Sequence, residues 1–224
     1  MPSTGRDGSR RLIVAAVLWA LMNNIAAAQT VAFANDVLGS PPKDFEYGVA
    51  GEGGPGRWEI VANADAAGGK ALAQLSTLRP EYRFLVAIYN PVVAHNVEVT
   101  ARCKPVSGKT DQACGVIVRA IDAHNYYVAR ANALEDNVRF YRVRNGQRQQ
   151  LATADNVKVA GGQWHTLTLR VEDDRYTVVF DGKPMHATTD TTTGLPRPVE
   201  GRVGLWTKSD SVTYFDRIEI KKLP

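Results

Sequence analysis

Apolar and polar side chains alternate along most of the chain after residue 57, most clearly between residues 114 and 153. That stretch, CGVIVRAIDAHNYYVARANALEDNVRFYRVRNGQRQQLAT, divides into four short alternating runs separated by three turns, the last at Asn145-Gly146. Alternating β-branched and aromatic residues are typical of half-buried strands, and Asn-Gly between two such runs is a strong hairpin signal. The stretch therefore predicts four antiparallel strands.

The same pattern extends over the rest of the chain. Strands are predicted at residues 58–61, 71–75, 84–89, 97–103, 114–121, 126–132, 138–144, 147–153, 164–171, 175–180, 183–187, 202–207 and 212–220. The segment 188–198 is polar and ends in Leu195-Pro196-Arg197-Pro198, which predicts a loop. No segment after residue 28 has a sustained helical period. Short strands at regular spacing predict an all-β sandwich or barrel.

The register of the strands divides their side chains into two faces. A four-residue turn at 122–125 would place Ile121 opposite Tyr126 and Arg119 opposite Val128. One face then has the composition of a core, with Cys114, Val116, Val118, Ala120, Tyr127, Ala129 and Ala131. The other face carries Ile117, Arg119, Ile121, Tyr126, Val128, Arg130 and Asn132.

The next hairpin adds to this second face. Across the Asn145-Gly146 turn, Phe140 should lie opposite Leu151 and point to the core, while Arg139, Tyr141 and Arg148 point away from it. Trp206 alternates with two inward residues of its own strand and should also point away from the core. The candidate ligand-binding residues are therefore Arg119, Tyr126, Arg130, Asn132, Arg139, Tyr141 and Trp206.

Arginines among aromatic residues suit a polar ligand. Aromatic rings stack on the faces of sugars, and guanidinium groups offer fixed donors to hydroxyls or carboxylates. The alternative is a solvated outer face on which long side chains cover aliphatic ones. The sequence leaves both interpretations open.

Residues 1–28 have the features of a secretory signal peptide. Arg6, Arg10 and Arg11 precede the apolar run LIVAAVLWAL at 12–21, and three alanines follow at 26–28. The run is shorter than the roughly 20 residues that span a bilayer. We expect a secreted or periplasmic protein, exported by either the general or the twin-arginine route. Residues 29–57, rich in Gly and Pro, predict an extended lead-in with at most one strand, and 58–224 the sandwich domain.

Two cysteines, Cys103 and Cys114, follow the predicted leader, and an even pair in an oxidising compartment predicts a disulfide. A metal site or a catalytic thiol is the alternative, although no histidine lies near either cysteine in sequence. Removing the leader lowers the net charge from +4 to +2, so the basic balance does not indicate a nucleic-acid partner. No membrane partner is expected after cleavage.

Motifs for catalysis and cofactors are missing. The chain has no metal-ligand spacing, nucleophile elbow, P-loop or dinucleotide fingerprint, and His95, His124, His165 and His186 are scattered singly. The E-x-D-x-x-E pattern of laminarinase-type glucanases is also missing. Catalytic residues stay unassigned and no cofactor is predicted, the alternative being a structural Ca²⁺ in a loop such as 122–125.

Several stretches together resemble a family. They are Ala71-Leu72-Ala73-Gln74, residues 104–112, Val118-Arg119-Ala120, Asp122-x-x-Asn125-Tyr126-Tyr127, Gly162-x-Trp164-His165, Phe180-Asp181-Gly182-Lys183, residues 204–208 and Phe215-Asp216. In this order they are similar to secreted bacterial concanavalin-like domains, which are related to laminin-G modules and to the 3-keto-disaccharide hydrolase domain. The resemblance covers about residues 58–220 and implies an antiparallel two-sheet jelly roll.

The resemblance implies a fold more specifically than a function. Some domains of this kind act on 3-keto-glycosides and others bind glycans, and no catalytic set of the hydrolase branch matches this chain. The leading prediction is a β-sandwich that binds carbohydrate or a similar polar ligand on its second face. A hydrolase or lyase acting on 3-keto-glycosides, and a structural or adhesive module, are the alternatives. The sequence does not define the ligand or the oligomeric state.

Overall fold

The computed structural model describes Met1, residues 28–191 and residues 200–224. The predicted signal peptide lies outside the described residues except for its two ends. The predicted loop at 188–198 is described only as far as residue 191. No helix of the described residues is long and apolar enough to cross a membrane.

The described residues form fifteen strands and one short 3-10 turn at Ala67–Gly69. The strands are β1 (Gln29–Ala32), β2 (Phe45–Gly51), β3 (Trp58–Ala62), β4 (Lys70–Gln74), β5 (Arg83–Ala94), β6 (Val97–Ser107), β7 (Ala113–Asp122), β8 (Asn125–Asn132), β9 (Asn137–Arg144), β10 (Gln147–Asp155), β11 (His165–Glu172), β12 (Arg175–Phe180), β13 (Lys183–Thr189), β14 (Gly201–Lys208) and β15 (Val212–Lys222).

The strands form two antiparallel sheets. The first sheet has the order β13-β12-β11-β6-β15-β4-β3, with β1 also pairing with β15, and the second has the order β10-β9-β8-β7-β14-β5-β2. Non-consecutive neighbours such as β6 and β15 show that the chain crosses repeatedly between the sheets, as in a jelly roll. The predicted all-β two-sheet sandwich is confirmed.

Residues 29–57 differ from the prediction of an extended lead-in with at most one strand. They contribute β1 to the first sheet and β2 to the second. Phe45 and Ala50 of β2 are buried, so this strand belongs to the packed structure. The Gly and Pro clusters on either side of β2 conceal it, because it has too few residues to show a clear period.

The core lies between the sheets. Apolar side chains from both sheets interdigitate there, including Leu72, Val99, Leu169 and Val178 from the first sheet and Val116, Tyr127, Phe140 and Leu205 from the second. Burial of this apolar surface is the main favourable contribution to folding. The residues predicted for the core face between Cys114 and Ala131 are all in this core except Ala120.

A bulge in β7 places Ala120 and Arg119 on the side of the sheet opposite to the one predicted for each. Val118 pairs with Tyr127 and Asp122 with Asn125, so the register shifts between these pairs, and Arg119 has a φ of 53°. The predicted pairing of Arg119 with Val128 is wrong, because Val128 pairs with Ile117. The Arg119 side chain points instead toward the first sheet, where Nη1 donates to the Tyr176 hydroxyl at 3.0 Å.

The bulge requires a glycine on the neighbouring strand. A Cβ at Gly201 would lie 2.6 Å from the carbonyl carbon of Arg119. Only a residue without a side chain lets β14 approach the bulge this closely.

The second hairpin shows a smaller shift. Gln147 pairs with Arg144 across the Asn145-Gly146 turn, as predicted, and both turn residues have positive φ. Phe140 points to the core but pairs with Ala152, because Leu151 is the extra residue of a bulge.

The predicted disulfide between Cys103 and Cys114 is present. Cys103 lies in β6 of the first sheet and Cys114 in β7 of the second, and both are buried. The bond therefore links the two sheets, and it encloses the loop of residues 108–112 that carries Asp111.

Replacing both cysteines by alanine is expected to lower the free energy of unfolding by about 2–3 kcal/mol, because an open loop gives the unfolded chain more freedom. The sequence separation of 11 residues places the effect in this lower range. Urea denaturation would measure the loss, with the wild type in dithiothreitol as the matched control. A double variant as stable as the oxidised wild type would contradict this expectation.

Candidate functional site

The side of the second sheet that faces away from the first sheet is called here the outer face. Its centre is an apolar and aromatic cluster that includes Phe84, Ile117, Tyr126, Tyr141 and Trp206. All five side chains are buried. Among the described residues no strand or helix packs over them. The aromatic rings and the long side chains of the face cover one another.

Strand pairing aligns the side chains of the outer face in rows. Trp206 of β14 pairs with Gly115 of β7, Gly115 with Arg130 of β8, and Arg130 with Arg139 of β9. Gly115 has no side chain, and a Cβ there would lie 3.1 Å from Trp206. Trp206 and Arg130 therefore flank a position without a side chain.

Trp206 is held firmly in this row. Its ring stacks on Phe84 with 5.5 Å between centroids, and its indole Nε1 donates to the Tyr126 hydroxyl at 3.1 Å. Burial raises the pKa of Tyr126, so the phenol stays protonated and accepts this bond as a neutral group. Trp206 and Tyr126 form a packed pair whose rings are closed to solvent.

Polar side chains adjoin the aromatic ones at one end of the face. This polar cluster consists of Asp111, Arg130, Asn132, Glu135, Asn137 and Lys208, with Arg139 at its rim. Arg130 donates to Glu135 at 2.8 Å and to Asn137 at 2.5 Å, and its guanidinium lies 5.9 Å from the centre of the Tyr141 ring. The cluster is continuous with the aromatic part of the face.

Asp111 lies in the cluster because hydrogen bonds to the segment after β14 hold its loop in place. The carboxylate of Asp210, just after β14, accepts hydrogen bonds from the backbone N–H groups of Lys109, Thr110 and Asp111. Lys208, two residues before Asp210, forms an ion pair of 2.5 Å with Asp111. Two segments about 100 residues apart in sequence are thus joined at one end of the outer face.

The two carboxylates of the cluster are shifted in opposite directions. Burial raises the pKa of Asp111, and the hydrogen bond and charge of Lys208 oppose that rise. Burial would also raise the pKa of Glu135, but the charge and hydrogen bond of Arg130, with help from Asn137 and Arg139, lower it to about 2. Neighbouring carboxylates whose pKa values are shifted in opposite directions are typical of functional sites, and they also occur in structural ion-pair networks.

Glu135 gives the fold a pH dependence with a definite sign. Its folded pKa of about 2 lies below the ordinary 4.5, so its contribution to stability is complete above pH 4.5 and is lost as the pH falls toward 2. Glu135→Gln should show a flatter loss of stability over this window than the wild type. Urea denaturation at several pH values would test this, with Glu219→Gln on the first sheet as the matched control. Equal slopes for the wild type and Glu135→Gln would contradict the assignment.

The structure brings together some of the predicted binding residues. Arg130, Asn132, Arg139 and Tyr141 meet around Glu135, and Tyr126 and Trp206 form the neighbouring pair. Arg119 is not among them, because the bulge in β7 turns it toward Tyr176. All of these side chains except Arg139 are buried.

Residues 76–221 match the family described as 3-keto-alpha-glucoside-1,2-lyase-like domain. The chain belongs to this family. The match extends from just before β5 almost to the end of β15, so it includes every residue of the polar cluster. The family resemblance expected from the sequence is thereby confirmed.

Solved structures show where else the fold of this lyase-like domain occurs. A carbohydrate-binding module, CBM66 from Bacillus subtilis, is 18% identical with a TM-score of 0.59 over 79% of this chain and 95% of that chain. A Bacillus subtilis protein of unknown function with a galectin-like fold is 11% identical, with a TM-score of 0.52 over 74% and 89%. The exoplasmic/lumenal domain of VIP36, solved with Ca²⁺ and Man3GlcNAc, is 10% identical, with a TM-score of 0.52 over 81% and 84%. No curated protein matches the sequence.

In this member of the lyase-like family, sequence reasoning missed Asp111, Glu135, Asn137 and Lys208 as parts of a site. Glu135 had a weak signal, since it lies in the turn between two strands that were predicted to carry arginines on the same face. Asp111 and Lys208 had none, because only the folded chain brings their segments together. Arg148 was predicted on the correct face but was left out of the candidate set.

In this lyase-like domain the carboxylate of Asp122, in the loop considered above for Ca²⁺, accepts hydrogen bonds within its own turn. Its Oδ1 accepts hydrogen bonds from the backbone N–H of His124 at 2.7 Å and from the Asn125 side chain at 2.9 Å. These bonds are typical of a turn-forming aspartate. Within the described ranges, no group of three or more His, Cys, Asp or Glu side chains is arranged to hold a metal ion.

Proposed function

We propose that the protein binds carbohydrate on the outer face, in the row formed by Trp206, Arg130 and Arg139. The observation that carries the proposal is this row, in which two guanidinium groups lie at one level of the sheet beside the packed Trp206 ring, and Arg139 is partly open to solvent. Guanidinium groups donate hydrogen bonds to the hydroxyls of sugars, and the aromatic rings packed beneath hold them in place. The fold shared with a carbohydrate-binding module and with a domain solved with bound Man3GlcNAc supports this class of ligand.

Arg139 offers the clearest test of this proposal. Its side chain is 30% exposed, so its removal should disturb the fold less than removal of the buried residues. On a glycan array followed by titration calorimetry, Arg139→Ala should bind the selected glycan about tenfold more weakly than the wild type. Arg170→Ala, which removes a similarly exposed and ion-paired arginine from the first sheet, is the matched control and should bind normally. Unchanged binding by Arg139→Ala would reject this site.

A second candidate function is the elimination reaction for which the family is named. The observation that favours it is the buried pair of Asp111 and Lys208 beside the proposed sugar site. In a 3-keto-glycoside the carbonyl acidifies the C2–H bond. A base takes the C2 proton, the electron pair forms a C1–C2 double bond, the C1–O bond breaks, and the departing oxygen takes a proton to become an alcohol.

Asp111 and Lys208 have the properties that these two proton transfers need. Asp111 is a carboxylate whose pKa is raised by burial, which makes it a stronger base than an exposed one. Lys208 carries the proton that the leaving oxygen requires, and afterwards the proton held by Asp111 restores it. Each group would thus return to its starting state at the end of a turnover.

Incubation of the purified protein with a 3-keto-glycoside should release the C1 alcohol together with an unsaturated keto sugar that chromatography can detect. Asp111→Asn should abolish this release, and Asp65→Asn, which changes an exposed aspartate beside the first sheet, should leave it unchanged. Absence of product from the wild type would reject the enzymatic function without affecting the binding proposal.

We also propose that the protein works outside the cytoplasm. The buried disulfide between Cys103 and Cys114 supports this location, because such bonds persist in oxidising compartments. Fractionation of the producing cells would test it. Recovery of the protein only from the cytoplasm, with reduced cysteines, would reject it.

A further inference from the structure

The charged groups of the outer face are paired one by one, with one exception. Lys208 is paired with Asp111 at 2.5 Å, Arg130 with Glu135 at 2.8 Å, and the rim residue Arg139 with Glu135 at 3.2 Å and Asp155 at 4.0 Å. Arg148 projects from β10 onto the same face. In the part of the chain that the structure describes, its guanidinium contacts no carboxylate within ion-pair distance.

Aromatic rings hold this guanidinium in place. Its central carbon lies 4.3 Å from the centre of the Tyr141 ring and 4.8 Å from that of Phe84. The backbone N–H of Arg148 donates to the Tyr82 hydroxyl at 2.8 Å, which fixes the start of the side chain. A planar guanidinium stacked on rings in this way has little freedom to turn toward another partner.

One guanidinium nitrogen of Arg148 lacks an acceptor among the described residues. Among the described residues Nη1 is buried and has no hydrogen-bond partner, and the same holds for Nε of Arg130, whose side chain is 2% exposed. Both guanidinium groups adjoin the ring of Tyr141, at 4.3 and 5.9 Å. A buried N–H without an acceptor is costly, and it is more costly on a charged group. A ligand that supplies an acceptor oxygen here would remove this cost.

We propose that the ligand of the outer face is an acidic sugar, and that its carboxylate binds Arg148 beside Arg130. This inference rests on the proposed carbohydrate binding and adds the chemical class of the sugar. A carboxylate supplies two oxygens in the plane of the guanidinium fork and the one negative charge that balances Arg148. A neutral sugar would supply hydroxyl acceptors and leave this charge without a counter-ion. The ligand is a glycan that contains uronic acid.

The test compares glycans that differ in one group. Matched sets of a uronic acid glycan, its neutral counterpart and its sulfated counterpart would be titrated into the purified wild type and into Arg148→Gln. The wild type should bind the uronic acid member about 30-fold more tightly than the neutral one, and the preference should disappear in Arg148→Gln. Arg170→Gln, which changes an arginine of the first sheet, is the matched control and should keep the preference of the wild type.

Two further measurements keep the result unambiguous. Arg148→Lys retains the charge but loses the planar fork, so it should bind the sulfated and uronic acid members equally well. Raising the salt concentration should weaken uronic acid binding by the wild type more than neutral binding, a result that does not depend on any variant folding.

The outcomes separate the two proposals. Equal affinity of the wild type for neutral and uronic acid members would overturn the acidic-sugar inference and leave carbohydrate binding intact. Preference for the sulfated member would overturn the choice of carboxylate. Failure to bind any member would overturn the proposed function itself.

Discussion

Replacing Trp206 by alanine is expected to lower the free energy of unfolding by about 3–5 kcal/mol, the range for a large aromatic side chain removed from a packed interior. Trp206 is fully buried, stacks on Phe84 and donates to the hydroxyl of Tyr126. The alanine variant loses the apolar contacts and leaves the Tyr126 hydroxyl without its donor. Guanidinium chloride denaturation would measure the change.

Two further variants show how much of the lost stability at Trp206 comes from its hydrogen bond and how much from its burial. Trp206→Phe keeps a ring but no donor, so it should lose only about 1–3 kcal/mol. Trp164→Ala removes a half-buried tryptophan that lies against Arg102 on the first sheet, and it should cost less than Trp206→Ala. If Trp206→Ala were as stable as Trp164→Ala, the packing described for the outer face would be wrong.

Replacing Arg119 by methionine is also expected to have a large effect, lowering the free energy of unfolding by about 3–4 kcal/mol. Methionine keeps much of the volume, so the loss reports mainly on the hydrogen bonds. The Arg119 guanidinium donates to the Tyr176 hydroxyl at 3.0 Å, to the Asp173 carbonyl at 2.6 Å and to the His95 carbonyl at 3.3 Å. Bonds from a charged donor contribute more than neutral ones, and their loss leaves acceptors unsatisfied.

The same variant separates the fold from the proposed function. Arg119 lies on the inner side of the second sheet, so Arg119→Met should bind glycans as the wild type does wherever it remains folded. Calorimetric titration at a low temperature, together with a denaturation curve, provides both readouts. A selective loss of glycan binding without a loss of stability would return Arg119 to the binding residues.

The strands and the sandwich were predictable because their signals are local. Alternation identifies a strand from within itself, and the Asn145-Gly146 turn sets the pairing of two strands across two residues. The faces of residues 114–118 and 126–132 were assigned correctly for the same reason. Residues 29–57 were harder, since the strand that β1 pairs with is β15, at the far end of the chain.

The position of Arg119 and the polar cluster were not predictable because their causes are distant in sequence. The bulge at Arg119 depends on Gly201 of another strand, and nothing in the run Val118-Arg119-Ala120 marks it. Asp111 enters the site because Asp210 binds its loop. Alternation also could not reveal that Tyr126 and Trp206 bury each other, since it separates the two faces of a strand without saying what covers each face.

The pairing of β1 with β15 limits when the first sheet can form during synthesis. Gln29 pairs with Ile220, so the first strand has no partner until the last has been synthesised. Contacts of such long sequence separation form slowly and leave strand edges unprotected in the meantime. The first sheet therefore cannot be completed until β15 has been synthesised.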